Sequence, residues 1–400
     1  MADERARTEA AAKSFIELAG ARRWAARMAE LARGMAAGPY MRRALQQRHG
    51  LELALDRLAR QRHRAPTPVE MRVLGLAAET AATARRLTPA GRARLRTGLR
   101  AALAGEQTLV PLFHLVRTAA LQRARGFAVR FAGLEDGAPF DLLIRRDDAE
   151  AEVACDVVSA EDGRDLHRGA WVRLVDRIDP DLQTWLAAHP GRYLLKLTLP
   201  QGLRTDPADQ DRLAALHDRI RMLLTAQRRA DHDEAAVLRL DPLMLAAAQA
   251  DELGLVTSLR REFGHEAHLA VTAAGGGVFV MAARAGRENE VAVAIRRRMA
   301  SIAPSRLTGT RPGILAMFVE DTDRAEWRHL RERLELEGET RQFMTHKDAR
   351  RVVAVTCASR FELLGAPAPD AASDGEVRFR NPAHPASGAA ALAPAVLSSV

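Results

Sequence analysis

The chain has 400 residues, enough for two or three compact units, and 47% of them are apolar, the share of a protein that buries a real core. Its two cysteines, Cys155 and Cys357, exclude a disulfide framework, and neither has metal-ligand spacing, so a reducing, cytoplasmic setting is expected. The formal net charge of +9 is uneven: residues 1–100 hold 21 Lys/Arg against 9 Asp/Glu, a surplus of 12, so the rest sum to −3.

Residues 1–104 read as helices alone, rich in Ala, Leu, Arg and Glu and without alternating stretches. Gly38-Pro39 breaks the first long helix. Thr67-Pro68-Val69-Glu70 joins an N-cap threonine, a proline at the first helical position and a glutamate three residues after the cap. Thr88-Pro89 starts another helix, with Leu95, Leu99 and Leu103 as its buried stripe and Gly105 as its end. The charge surplus of this region is the footprint of contact with a polyanion, nucleic acid first; an arginine-rich solvated surface is the alternative. No membrane segment is expected. Met1–Ala10 carries Asp3, Glu4 and Glu9 with no apolar run behind it, and the uncharged run Leu269–Ala283 is too short to span a bilayer.

After Gly105 the pattern changes. Glu106–Arg125 is an amphipathic helix closed by Gly126. Phe127–Phe131, Phe140–Ile144 and Glu152–Val158 are short β-like runs with turn residues between them. A helix over Gly163–Ala188, a strand at Arg192–Leu199 and a helix begun by Asp206-Pro207 and running to Arg229 follow. Further strands are expected at Ala236–Leu240, Gly313–Val319 and Val352–Cys357, a hairpin at Leu269–Val271 and Val278–Ala282 about Gly275-Gly276-Gly277, and helices at Arg287–Ser301 and Asp323–Leu336. The expectation is an α/β (or α+β) protein: a mixed sheet flanked by helices over 105–364, an all-α N-terminal domain over 1–104, and a disordered tail over 365–400.

The chemistry-bearing window is Phe140-Asp141-Leu142-Leu143-Ile144, then Glu152-Val153-Ala154-Cys155-Asp156-Val157-Val158-Ser159, then Gly163-Arg164-Asp165-Leu166-His167-Arg168. It resembles the PD-(D/E)XK, or restriction-endonuclease-like, superfamily. In that superfamily an acid at the start of one strand is followed about ten residues later by an acid-x-lysine on the next. Side chains two apart on a strand share a face, so two such carboxylates can grip one Mg²⁺, which polarises a phosphate and activates a water. Asp141 matches the first acid. With Glu152 as the second, Ala154 stands where the lysine belongs; with Ala154 in the acid position, Asp156 stands there. Both registers lose the lysine.

The resemblance implies a nucleic-acid-associated core, DNA before RNA. If active it would be a Mg²⁺-dependent endonuclease with Asp141, Glu152 and Asp156 as metal ligands. The cation would then come from Arg164, His167 or Arg168 on the following helix, or from Lys196 on the next strand. The missing lysine implies instead a divergent, inactive core, and a protein-interaction scaffold that keeps only the fold is the second reading. Arg296, Arg297, Arg298, Arg306 and Arg311 form a second basic segment, read either as phosphate contacts or as a favourable helix end. Gly275-Gly276-Gly277 is no phosphate loop, and His265-Glu266-Ala267-His268 lacks zinc-protease spacing.

Overall fold

The computed structural model describes residues 2–60, 65–206, 209–243, 258–260, 262–264 and 266–399. Seven helices open the chain: α1 (Ala2–Ala19), α2 (Ala21–Met35), α3 (Pro39–Arg48), α4 (Gly50–Arg60), α5 (Pro68–Arg86), α6 (Pro89–Ala102) and α7 (Val110–Ala124). Then come β1 (Ala128–Arg130), α8 (Ala132–Glu135), β2 (Leu142–Arg146), β3 (Ala149–Ser159), α9 (Arg168–Ala188), β4 (Arg192–Leu199) and α10 (Gln210–Thr225). Four strands follow, β5 (Ala230–His232), β6 (Val237–Pro242), β7 (His268–Ala274) and β8 (Gly277–Ala285), before α11 (Val291–Arg306) and β9 (Gly313–Glu320). The remainder is α12 (Arg324–Glu332), α13 (Glu335–Met344), β10 (Val352–Ser359), α14 (Arg360–Leu364), β11 (Val377–Arg380) and α15 (Ala393–Val396). The protein is mixed α/β, with two mixed sheets and an N-terminal helical region.

Contacts divide the chain into two units. The first comprises 1–32, 46–160 and 292–400, the second 33–45 and 161–291. This differs from the expected division at 104 and 364, because α1, α4, α5 and α6 pack among themselves and, through α5 and α6, onto α7, which covers β3. Caps place two of these helices as expected. Thr67 accepts from the Glu70 N–H while the Glu70 carboxylate accepts from the Thr67 N–H, and Thr88 caps α6 through Gly91. Leu95, Leu99 and Leu103 are buried.

The sheet of the first unit has strand order β1-β2-β3-β9-β10-β11. β1, β2 and β3 form an antiparallel meander, β3, β9 and β10 run parallel, and β11 is antiparallel at the edge. The second unit has its own sheet, ordered β5-β6-β4-β8-β7, with β4 parallel to β8. Its core gathers Trp171, Leu174, Ile178 and Leu182 of α9 with Leu195, Leu197, Leu238 and Phe279 of the strands. The helix and strand expected to follow β3 in one core, near 163–188 and at 192–199, therefore belong to the second unit. The parallel neighbour of β3 is β9, reached through α11. β9 is buried at all but its last position and suits a central strand.

Two further differences have local causes. The helix expected over 323–336 is two, α12 and α13, broken at Leu334, which takes a left-handed φ of 59°. Pro207, in the cap expected for α10, lies outside the described residues. The tail expected to be disordered over 365–400 is ordered through residue 399: β11 pairs with β10, and Val377, Phe379, Leu392, Ala395 and Val396 are buried. Its small residues lack a period because they serve turns and one short edge strand. A chain ending at Leu364 would lose Val377, Phe379 and Val396 from the core, each worth about 1.5–3 kcal/mol. By calorimetry its melting midpoint is expected at least roughly 10 °C lower; an unchanged midpoint would show the tail to be a bystander.

Candidate functional site

Asp141 stands one residue before the register pair Leu142–Val153, and its N–H donates to the Val153 carbonyl (3.0 Å). Across the strands it therefore faces Ala154, while Leu143 faces Glu152. Asp141, Glu152, Ala154 and Asp156 thus share one face of the sheet, as expected from the alternation of side chains. The alternation does not report what covers that face, and Glu152 is 0% exposed. The reason is position: β3 lies between β2 and β9, with α7 against its other face and α11 and the turn after it reaching the acid face.

Each carboxylate on that face is answered by a donor of the same unit. Asp141 Oδ2 accepts from the Cys155 N–H and from Arg306 Nη2, both at 2.7 Å. Burial pushes the Asp141 carboxyl above its ordinary range and Asp156 adds to the rise, while Arg306 and the Cys155 N–H oppose it. Asp156 accepts a two-pronged contact from Arg298, Nε at 2.5 Å and Nη2 at 3.0 Å. Glu152 accepts from the Thr308 N–H (2.8 Å) and hydroxyl (2.5 Å), with Arg311 Nη1 at 3.8 Å from its Oε1. Arg311 also pairs with Glu150, and Arg296 with Glu339.

The arginines come from α11 by a simple periodicity. Arg298, Ile302 and Arg306 are four apart and share a face, and Ile295, Met299 and Ile302 are buried. Arg296, Arg298, Arg306 and Arg311 of the second basic segment are thus committed to carboxylates of their own unit. Charge matching was visible in the sequence: four acids at 141, 150, 152 and 156 against arginines at 298, 306 and 311. Their separation of some 140 residues or more concealed the pairing.

On the opposite face, Cys155 contacts Thr118 of α7, and His114 bonds through Nε2 to the Ala316 carbonyl (2.8 Å). Burial lowers the His114 pKa to about 4, so the ring is neutral at ordinary pH. Burial likewise raises both thiols, Cys155 and Cys357, which are therefore poor nucleophiles.

The expected cations lie in the second unit, each with a local partner. Arg164 is 4% exposed and pairs with Glu161. Lys196 sits 3.4 Å from Asp241 and 5.5 Å over the Phe263 ring. His167 precedes α9 and approaches Thr205 (3.4 Å), and the Arg168 N–H donates to Glu161. His265 lies outside the described residues; His268 bonds the Leu166 carbonyl.

A Mg²⁺ would need lone pairs that Asp141, Glu152 and Asp156 now offer to guanidinium, hydroxyl and backbone donors. Among the described residues no group of three or more His, Cys, Asp or Glu is arranged to hold a metal. As arranged, this donor set does not fit Mg²⁺, and no catalytic step follows through it.

Two features were not read from the sequence. A cavity of about 350 Å³ is walled by Leu334, Leu336, Ala371, Val377 and Phe379 with Arg331, and none of the three motif acids lines it. A second carboxylate cluster, Glu52, Glu320 and Asp321, stands at the carboxyl end of β9 with Arg48. No family model, curated protein or solved structure matches the chain. No helix among the described residues is long and apolar enough to cross a membrane.

Thr308→Val would leave the buried Glu152 carboxylate with one donor fewer. A loss of about 1–3 kcal/mol in chemical denaturation is expected, with Thr308→Ser close to the parent. Equal losses in the two variants would mean that packing, and not the hydroxyl, holds this end of β3.

Proposed function

We propose that this chain is a nucleic-acid-binding protein built on a restriction-endonuclease-like core that does not cut. The observation that carries the non-cutting half is the pairing of Asp141 with Arg306 and Asp156 with Arg298, on the face where such a core would carry its metal and lysine. The chain order of the first unit supports the kinship. A helix, three antiparallel strands, a crossover helix and a strand parallel to the third follow one another, with the second unit inserted before the crossover helix.

Polyanion contact is supported by the helical region. α6 carries Arg92, Arg94, Arg96 and Arg100 and no acid. Arg22, Arg23, Arg85, Arg86, Arg96 and Arg100 are exposed, and among the described residues none of them makes the ion pairs that hold the fold. Arginine suits phosphate because its planar fork presents two donors at once. Binding of this kind reads the backbone before the bases and weakens steeply with salt. The proposal gives Arg164, Lys196 and Mg²⁺ no part in chemistry.

The test is affinity for duplex DNA and for structured RNA over a range of salt, beside cleavage assays with Mg²⁺ and Mn²⁺. Binding should fall linearly on a log–log plot. The quadruple change of Arg85, Arg86, Arg96 and Arg100 to Ala should lower that slope by up to about 3–4. No cleavage is expected. Metal-dependent cutting abolished by Asp141→Ala would overturn the inactive reading, and salt-insensitive or absent binding would leave only a protein-interaction scaffold.

A further inference from the structure

The cavity of about 350 Å³ at the end of α12 lies wholly within the first unit, and neither the acid face nor the exposed arginines of the helical region take part in it. Its lining comes from the junction of α12 and α13, from 368–376 and from β11. Leu336, Ala371, Val377 and Phe379 are buried and give it an apolar surface. Its volume is roughly that of a dozen water molecules in the liquid, which is room for a ligand of about as many non-hydrogen atoms.

Two residues of the lining are not accounted for by contacts inside the protein. Leu334 is 58% exposed and takes a left-handed φ of 59°, a conformation that a bulky side chain rarely adopts. The chain thus holds a strained apolar residue at the cavity where water meets it. Strain of this kind is kept where it places a side chain for a task. Arg331 lines the same cavity. Its Nη2 donates to the Pro369 and Asp370 carbonyls, and its guanidinium stands 5.6 Å over the Trp327 ring. Its Nε is buried without an acceptor. Among the described residues no carboxylate pairs with Arg331, and its Nη1 makes no hydrogen bond. The cavity's acids are answered elsewhere. Glu376 pairs with Arg125 (2.6 Å), Asp374 with Arg378 (2.8 Å) and Glu337 with Arg341, while Glu332 is exposed, where water and salt screen it. What remains is the charge of Arg331, partly withdrawn from water beside an apolar hollow.

We propose that this cavity binds a small amphipathic carboxylate. Its apolar body fills the hollow against Leu336, Val377 and Phe379 and is covered by Leu334, and its carboxylate accepts from Arg331 Nη1. One guanidinium supplies one positive charge, which suits a monoanion. A phosphate dianion would bring surplus negative charge toward Asp374 and Glu376, and an amine would leave Arg331 unanswered.

The experiment is calorimetric titration of the full chain with octanoate, beside octanol and octylamine, which carry the same tail under a neutral and a cationic head. Octanoate should bind with a Kd below about 1 mM, and the other two at least about tenfold more weakly. Arg331→Gln should lower octanoate affinity about tenfold and bring it level with octanol. Leu334→Gly should lower it about fivefold through the lost apolar cover. Glycine takes that backbone without strain, so the fold is expected to hold. Should Arg331→Gln fail to fold, the three probes on the parent chain still decide the head group. No octanoate binding at about 10 mM, octanol or octylamine bound as tightly as octanoate, or octanoate affinity unchanged in both variants would each overturn the proposal.

Discussion

A carboxylate with no access to water must be answered inside the protein, and Glu152 is that carboxylate in this chain. β3 is paired on both edges and covered on both faces, so the side chain cannot turn out to solvent. Its two oxygens fix Thr308 by backbone and hydroxyl together, which fixes the turn that brings the chain from α11 into β9. α11 is thereby held so that Arg298 and Arg306 stand over Asp156 and Asp141, and its apolar stripe packs beside them. The charge pairing is a consequence of one buried oxygen pair at the centre of the sheet.

The two carboxylate groups of the first unit are solved in different ways. On the acid face each motif carboxylate meets an arginine or the Thr308 donors. An arginine cannot be deprotonated at any ordinary pH, so these contacts are permanent. At the end of β9 hydroxyls stand among the donors: Glu320 accepts from Thr108, and Asp321 from Ser159 as well as from Arg48. Hydroxyls do not neutralise charge, and burial with Asp321 beside it raises the Glu320 carboxyl to about 7.

What was legible in the sequence was local. Caps at Thr67 and Thr88, the leucine stripe of α6, the alternation of β3 and the glycine turn between β7 and β8 each depend on a few neighbouring residues. The mixed α/β class followed from them. The assignment of strands to sheets did not, because Arg192–Leu199 and Gly313–Glu320 are both short apolar runs, and nothing near them says which one pairs with β3. The burial of Glu152 was hidden for the same reason: alternation reports which side chains share a face but not what covers it. The partners of the acids stand far away in the chain, and Glu320 drew no notice because its neighbours Glu52 and Thr108 are more than 200 residues distant.

The insertion of the second unit between β3 and α11 shapes the order in which the protein can be made. During synthesis the meander β1-β2-β3 emerges first, with the β9-facing edge of β3 bare and with Glu152 and Asp141 lacking their arginines. Some 130 residues must then be added before α11 and β9 arrive, and the second unit, whose described strands β4 to β8 form one sheet of their own, can complete that sheet in the interval. The parallel centre of the first sheet is thus assembled last, from pieces far apart in the chain, which is the slow kind of pairing. Until then the nascent chain carries an unpaired β3 edge, flanked by carboxylates that repel one another. That repulsion discourages pairing with another chain through the interval when the edge is exposed.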